Sequence, residues 1–295
     1  MLRLKKHALV ALTLLCWLLL SHQATARSFD DIIESQEIVV AVYRDFLPFS
    51  TNENGIASGI DIDVATTIAN KLGVKLRLHW VSADENVEGD LRNNLWKGHF
   101  LNRTVADLML RVPYDRKYSQ LRDDIGELVH DRVHMFGPYH TESWQIIFNS
   151  KKIDDVTTMA MFQYHDIGVE IDSVPDFYLS TAFAGRLRER AKHFATTKAA
   201  VDAMVTSKVD AAMGLRSQIT HYQQPLSDQF KLASNAFPML GRQQWDIGMA
   251  VRDEYRQLGY AVGDVVSEMV GNGEMAAIFK RHHTYYQKSQ YYDPQ

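Results

Sequence analysis

Between Ile38 and Trp80 the apolar positions change period twice. Ile38, Val39, Val40, Ala41 and Val42 are apolar at every place, which predicts a strand covered on both faces in a parallel sheet. A turn-rich gap with Asn52, Asn54, Gly55 and Gly59 follows. Val64, Ile68 and Leu72, with Ala65 and Ala69 beside them, then trace one helical face that Gly73 closes. Lys75 to Trp80 alternates polar and apolar, so the unit is strand, loop, helix, strand: a βαβ crossover. In such sheets ligands lie beyond the carboxyl ends of the strands, a place taken here by Tyr43, Arg44, Asp45, Phe46, Pro48 and Phe49. These residues form either the wall of a ligand site or a plug of Phe46 and Phe49 on the core.

The same alternation continues along the chain. Asp90 to Lys97 reads as a short helix stopped by Gly98, and Ala106 to Leu110 as a buried strand. That strand empties into Arg111, Val112, Pro113, Tyr114, Asp115 and Arg116, a second polar strand exit. Gly137-Pro138-Tyr139 interrupts the pattern ahead of an apolar strand, Ile146 to Phe148, and marks a first crossing into another lobe. Ile167 to Ile171 is a strand, and Ser173 is the N-cap of the helix that follows, with Asp176 three residues on. The free N–H groups beside Asp172 and Ser173 either take an anionic group of a ligand or form an ordinary cap. Thr197 to Val205 is a helix, and Val209 to Met213 a strand that exits at Gly214-Leu215-Arg216. Pro238 marks a return crossing before a strand from Trp245 to Val251. Helices carrying Tyr255 to Met269 and Met275 to Phe279 follow, and the tail from Tyr285 packs on the surface. Two α/β lobes with a double crossover result, split as 27–138, 139–237 and 238–295, with a cleft between them.

Composition narrows the class. A chain of 295 residues with 46% hydrophobic content supplies a large core. Arg3, Lys5 and Lys6, the apolar run from Ala8 to Leu20, and Ala24-Thr25-Ala26 read as a cleavable secretory leader over residues 1–26. No later run reaches the roughly 18 apolar residues of a membrane span. Cys16 is the single cysteine and lies in the leader, so the processed chain has no thiol for a disulfide, a metal or catalysis. Loss of the leader takes the formal net charge from −4 to −7, and a mildly acidic chain without a basic stripe is a poor nucleic-acid binder.

A first strand ending at a Pro-Phe pair, then Gly59-Ile60-Asp61-Ile62-Asp63 and a helix closed by Leu72-Gly73, resembles the opening of the family 3 bacterial extracellular solute-binding proteins. The resemblance runs on through Ile167-Gly168-Val169, Val209-Asp210-Ala211-Ala212 and Ile247-Gly248-Met249-Ala250-Val251. It implies a periplasmic protein of the type 2 periplasmic binding protein (Venus-flytrap) fold that closes on a small polar ligand, without a cofactor. Amino-acid binders of that family clamp the ligand carboxylate with hydroxyl residues and an Arg. Arg116 matches the Arg, but Met109, Arg111 and Pro113 replace the hydroxyls, and Leu215 followed by Arg216 stands where an Asp receives the ligand ammonium. Asp90 to Gly98, Val112-Pro113, Asp172 to Leu179 and Gly185-Arg186-Leu187-Arg188 are similar to the branch associated with PQQ-dependent alcohol and methanol dehydrogenases. The implied partner is therefore an ABC permease or such a dehydrogenase. The residues expected at the ligand are Tyr43, Arg44, Phe46, Phe49, Arg111, Tyr114, Arg116, Asp172, Ser173 and Arg216.

No GxSxG, Walker or GxGxxG pattern occurs, and His130 and His134 lack the Glu of an HExxH site. The family also holds a cyclohexadienyl dehydratase type, for which Asp45, Asp115 and Asp172 are the acid candidates, each equally a cap or turn residue.

Overall fold

The computed structural model describes residues 26–84, 86–101, 103–234 and 242–293. The leader, Cys16 and the return crossing at Pro238 lie outside the described residues, apart from Ala26. In chain order the elements are α1 (Phe29–Ser35), β1 (Glu37–Tyr43), β2 (Thr51–Glu53), β3 (Ile56–Ser58), α2 (Ile60–Leu72), β4 (Lys75–Val81) and α3 (Val87–Leu91). Then come β5 (Leu108–Tyr114), α4 (Arg116–Ser119), β6 (Val133–Asn149), β7 (Ile167–Glu170), α5 (Val174–Thr181), β8 (Ala191–Phe194) and α6 (Thr197–Val205). The chain closes with β9 (Ala211–Leu215), α7 (Arg216–Gln223), β10 (Phe230–Leu232), β11 (Gln244–Arg252), α8 (Arg256–Gly271) and α9 (Glu274–Arg281).

The strands lie in the order β4-β1-β5-β11-β6-β9-β7-β8, with β10 on β6. On one side of this path β1 runs parallel to β4 and β5, and on the other β7 runs parallel to β8 and β9, while β6 and β11 run antiparallel to each other in the middle. The predicted double-faced burial of β1 feeds two cores. Ile38, Val40 and Val42 join the cluster under α2, α8 and α9, and Val39 and Ala41 join the one under Leu91 and Leu95. Two further clusters draw only on residues between Ile146 and Ala233. Separate cores on one continuous sheet are what give the molecule two lobes.

Three boundaries differ from the pattern-based expectation, each for a backbone reason. Asp90 to Lys97 is not one α-helix: α3 ends at Leu91 and continues as a π-helical turn over Arg92–Trp96, in which Lys97 N–H donates to Arg92 O. β5 runs on through Arg111, Val112, Pro113 and Tyr114, which therefore lie within a strand and not beyond it, because β11 continues to pair with it as far as Tyr114. Pro113 is tolerated there because β1 pairs only with Leu108 and Met109, leaving that side of the strand open. Gly137-Pro138 does not break the chain either. β6 is one strand of 17 residues, and the irregularity is absorbed as a bulge in its register with β11, between Ile247 opposite His140 and Met249 opposite Phe136. The first half of β6 pairs with β11 and the second with β9 and β10, so this strand carries the chain directly from one pair of cores to the other.

The start of the described chain is fastened to the sheet by charge. Arg27 donates from its backbone N and Nε to Asp107 Oδ1 and from Nη2 to Asp107 Oδ2, and that carboxylate also accepts from Val39 N–H at 2.8 Å. Asp107 is 3% exposed, so its removal strands a buried donor. Asp107→Ala is expected to lower stability by about 2–4 kcal/mol in a urea melt, and Asp107→Asn, which keeps an acceptor for Val39, by less.

Candidate functional site

The site is built up from one glycine. Gly59 takes φ 129°, and a Cβ there would lie 2.3 Å from the carbonyl oxygen of Phe49, so only glycine admits this approach. The first turn of α2 then donates Ile60 N–H to Pro48 O and Asp61 N–H to Phe49 O, which pins the loop that carries Phe46 and Phe49. Phe49 is fully buried and Phe46 half-buried, with ring centroids 5.9 Å apart. Above them lies the Arg111 guanidinium, its Cζ 3.5 Å from the Phe49 ring centroid and 4.9 Å from that of Phe46. Arg111 reaches this position because it occupies a left-handed backbone conformation, φ 59°, inside β5 beside the register shift with β11 at Gly248 and Met249. A non-glycine residue held there in a strand is strained and re-aimed by the bulge.

Two buried carboxylates share this cation. Glu142, fully buried on β6, lies 4.0 Å from Arg111 Nη2 and accepts from Ser217 Oγ and Ser217 N–H at the start of α7. Burial pushes the Glu142 carboxyl up, but His140, Arg111 and Ser217 together outweigh this and hold it below its ordinary range. Asp61, also fully buried, accepts from Tyr139 Oη at 2.9 Å, and burial raises it to about 6 against the opposing pull of Arg111. Arg111 Nη1 and Asp61 Oδ2 are buried without a hydrogen-bond partner. Arg216, the first residue of α7, sets its Cζ 3.7 Å from the Tyr285 ring centroid and leaves Nε similarly unpartnered. The side facing the first lobe and the side facing the second therefore meet at one seam, Arg111–Glu142–Ser217. The seam is held shut by Gln218 Nε2 donating to Leu47 O at 3.1 Å.

Of the residues expected at the ligand, the structure gathers Tyr43, Phe46, Phe49, Arg111 and, across Glu142, Arg216. Tyr43 is fixed by donating its hydroxyl to Asp90, with its ring 6.2 Å from Phe46. Others are elsewhere. Arg44 is exposed and lies over Trp80 at 5.8 Å, towards the sheet edge. Tyr114 packs edge-on against Tyr291 of the tail. Arg116 opens α4, and its side chain is outside the described set. Asp172 is exposed at φ 60°, and Ser173 Oγ accepts from Asp176 N–H and donates to Glu170 O, so both positions serve the cap. The tail is more than a surface covering: Tyr285 backs Arg216, Gln287 O accepts from Thr141 N–H, and Ser289, 1% exposed, donates to Asp246. Glu142, Asp61, Ser217, Gln218 and Tyr285 were not singled out in the sequence. Glu142 stands among His140, Thr141, Ser143 and Gln145, a polar stretch that gives no sign of burial, and Asp61 reads as an ordinary first-turn acid.

Residues 38–96 match the family model of bacterial extracellular solute-binding proteins, family 3. No curated protein matches the chain by sequence. An ancestral cationic amino acid solute binding protein superposes with a TM-score of 0.65 at 17% identity, over 86% of this chain and 99% of that one. An amino acid ABC transporter substrate-binding protein from Streptococcus pneumoniae, bound to L-arginine, gives a TM-score of 0.62 at 17% identity over 88% and 100% of the two chains. The solute receptor for L-cysteine of Neisseria gonorrhoeae gives 0.58 at 17% over 87% and 93%. The chain has the two-lobed fold of the type 2 periplasmic binding proteins. Within that binding-protein fold, the seam between the lobes is lined by Arg111 and Arg216, and Leu215, half-buried at the end of β9, is apolar.

The Asp61 carboxyl gives the seam a signature in pH. In the folded protein it releases its proton near pH 6, and in the unfolded chain near its ordinary 3.8. Between these values the folded state holds more protons, so the contribution of Asp61 to stability falls as pH rises through that window, by up to about 3 kcal/mol, and stays lost above it. Asp61→Asn, which still accepts from Tyr139, is expected to flatten this decline; urea melts at pH 4 and pH 7 of both proteins measure it.

Proposed function

We propose that the protein is a solute-binding protein whose lobes close on a small organic anion, a carboxylate being the simplest, held by the guanidinium groups of Arg111 and Arg216. The observation that carries this reading is the pair of unpartnered nitrogens, Arg111 Nη1 and Arg216 Nε, on either side of the Glu142–Ser217 contact. A buried donor without an acceptor costs roughly 1–3 kcal/mol, more when charged, and an anionic ligand removes that cost. The relatives in the comparison bind L-arginine or L-cysteine. An α-amino acid here would have its ammonium opposite Leu215 without a carboxylate, a cost of several kcal/mol, which favours an acid lacking the amine. In an import system the closed form is what a membrane permease reads, through the difference in ligand affinity between open and closed states.

A second reading, as an accessory protein of a PQQ-dependent alcohol or methanol dehydrogenase, rests on how firmly the chain closes its own cleft. Thr284 donates to Ser217 O, Thr220 and Thr284 hydroxyls meet at 3.0 Å, and His221 Nδ1 donates to His282 O at 2.7 Å, besides the Gln218–Leu47 bond. A body held shut in this way serves docking without a ligand. The dehydratase alternative, in line with the likeness to an ancestral amino-acid-binding protein described as a precursor of cyclohexadienyl dehydratase, gains less. Burial pushes Asp115 up, but hydrogen bonds from Lys117 N–H and Tyr118 N–H and the charge of Arg242 hold it below its ordinary range, while Asp45 and Asp172 are exposed turn residues at positive φ.

A thermal-shift panel of organic acids, amino acids and amines separates these readings. An organic acid is expected to raise Tm, with the shift cut at least tenfold in apparent affinity by Arg216→Ala and no change in the ligand-free Tm beyond a few degrees. If no compound shifts Tm, and the dehydrogenase co-purifies with the tagged protein, the accessory reading replaces solute capture.

A further inference from the structure

Away from the seam, a groove of about 910 Å³ lies beside β4, the strand at the end of the sheet path. β1 pairs with β4 along its whole length on one side, and no described strand pairs with the other, so a row of backbone N–H and C=O groups faces outward. Half-buried Trp80 and Trp96 line the groove, and Lys97, Gly98, His99, Phe100 and Arg103 form its far wall. That wall is a fixed turn. Gly98 takes φ 77°, a Cβ there would come within 2.5 Å of the Arg103 backbone, and Arg103 N–H donates to His99 O at 2.7 Å. The turn holds Phe100 and Leu101 outward, 79% and 77% exposed, with the His99 ring 4.4 Å from that of Phe100.

Charge sets the chemistry of what fits. Arg92, Lys97 and Arg103 line the groove, and neither Lys97 nor Arg103 has an acidic partner among the described residues. Asp84 stands 3.7 Å from Arg92, a contact between exposed side chains. Among the described lining residues three cations stand against one acid, the opposite balance to a chain whose net charge is −4. The π-helical turn Arg92–Trp96 and the Lys97 that follows it supply one wall of the groove. A small anion would use the cations but neither the open strand edge nor the exposed Phe100 and Leu101. An extended acidic chain uses all three.

We propose that this groove binds an extended acidic segment of a partner protein. Its backbone adds to the outer edge of β4, its carboxylates meet Arg92, Lys97 and Arg103, and an apolar side chain packs against Trp96 and Phe100. The site is separate from the seam, and its occupation requires no ligand there.

The test uses the full processed chain and a fluorescein-labelled peptide of alternating glutamate and valine, with a lysine–valine peptide of equal length as control. Saturable binding that weakens with added salt is expected for the acidic peptide only. The triple variant Arg92→Glu, Lys97→Glu, Arg103→Glu should weaken it at least tenfold. Phe100→Ser with Leu101→Ser should weaken it without changing the salt dependence. All five side chains are exposed, so urea melts should match the parent protein, and Arg216→Ala should bind the peptide normally. Amide exchange over residues 75–81 should slow when the peptide is bound, a readout of strand addition. Absence of saturable binding at low salt, equal binding of the lysine peptide, or indifference to the triple variant would overturn the proposal. So would binding to phosphatidylglycerol vesicles in place of the peptide.

Discussion

The guanidinium of Arg111 is the group on which the middle of the molecule depends. It lies over the Phe49 ring, 4.0 Å from the Glu142 carboxylate and within the electrostatic reach of Asp61, almost wholly out of water. A buried cation is tolerable only where aromatic faces and opposite charge replace its hydration, and every element nearby is arranged to supply one or the other. The loop of Phe46 and Phe49 is pinned by the first turn of α2. The β5 bulge aims the side chain, and β6 brings Glu142 underneath Ser217. Removing any one of these leaves a charge buried without its counterpart.

β6 makes that local arrangement a property of the whole chain. One strand pairs with β11 beside the first set of cores and with β9 beside the second, so a displacement of either lobe is felt at Glu142 in its middle. The tail reinforces the same region from outside through Tyr285, Gln287 and Ser289. Relative motion of the lobes therefore bears on contacts that include, among the described residues, Gln218 to Leu47, Thr284 to Ser217 and to Thr220, Tyr285 to Thr220 and His221 to His282. Each is an ordinary hydrogen bond worth about 1 kcal/mol net, a set weak enough for a ligand at the seam to tip the balance between open and closed.

The molecule thus presents two chemically different regions, the seam between its lobes and the groove beside β4. The seam is enclosed, with polar atoms, Arg111 Nη1, Arg216 Nε and Asp61 Oδ2 among them, that lack a hydrogen-bond partner among the described residues, which suits a small ligand. The β4 groove is open, with cations left in solvent beside aromatic rings and an unpaired strand edge, which suits a longer chain. The groove lies at the open end of the sheet and the seam at its middle, the one lined by the π-helical turn and the other by the loop that follows β1.

What the sequence by itself determined was everything governed by local period and local backbone chemistry. The five-residue apolar run of β1, the face of α2 with its closing Gly73, the Ser173 cap and the helix Thr197–Val205 were all legible, because side-chain periodicity and capping act over a few residues. The two-lobed α/β architecture followed from the order of such units. Tertiary structure alone decided the rest. Gly137-Pro138 reads as a break but lies inside β6, since a bulge opposite β11 absorbs it. Arg111 reads as a residue beyond a strand exit but is buried within one, since pairing with β11 extends β5. Phe49, expected to wall a ligand, floors the arginine instead. Glu142, Asp61 and Tyr285 carried no local sign of function, because Arg111, Tyr139 and Arg216, which they meet, lie between 31 and 78 positions away in sequence, and charge compensation in a buried site depends on distance in space.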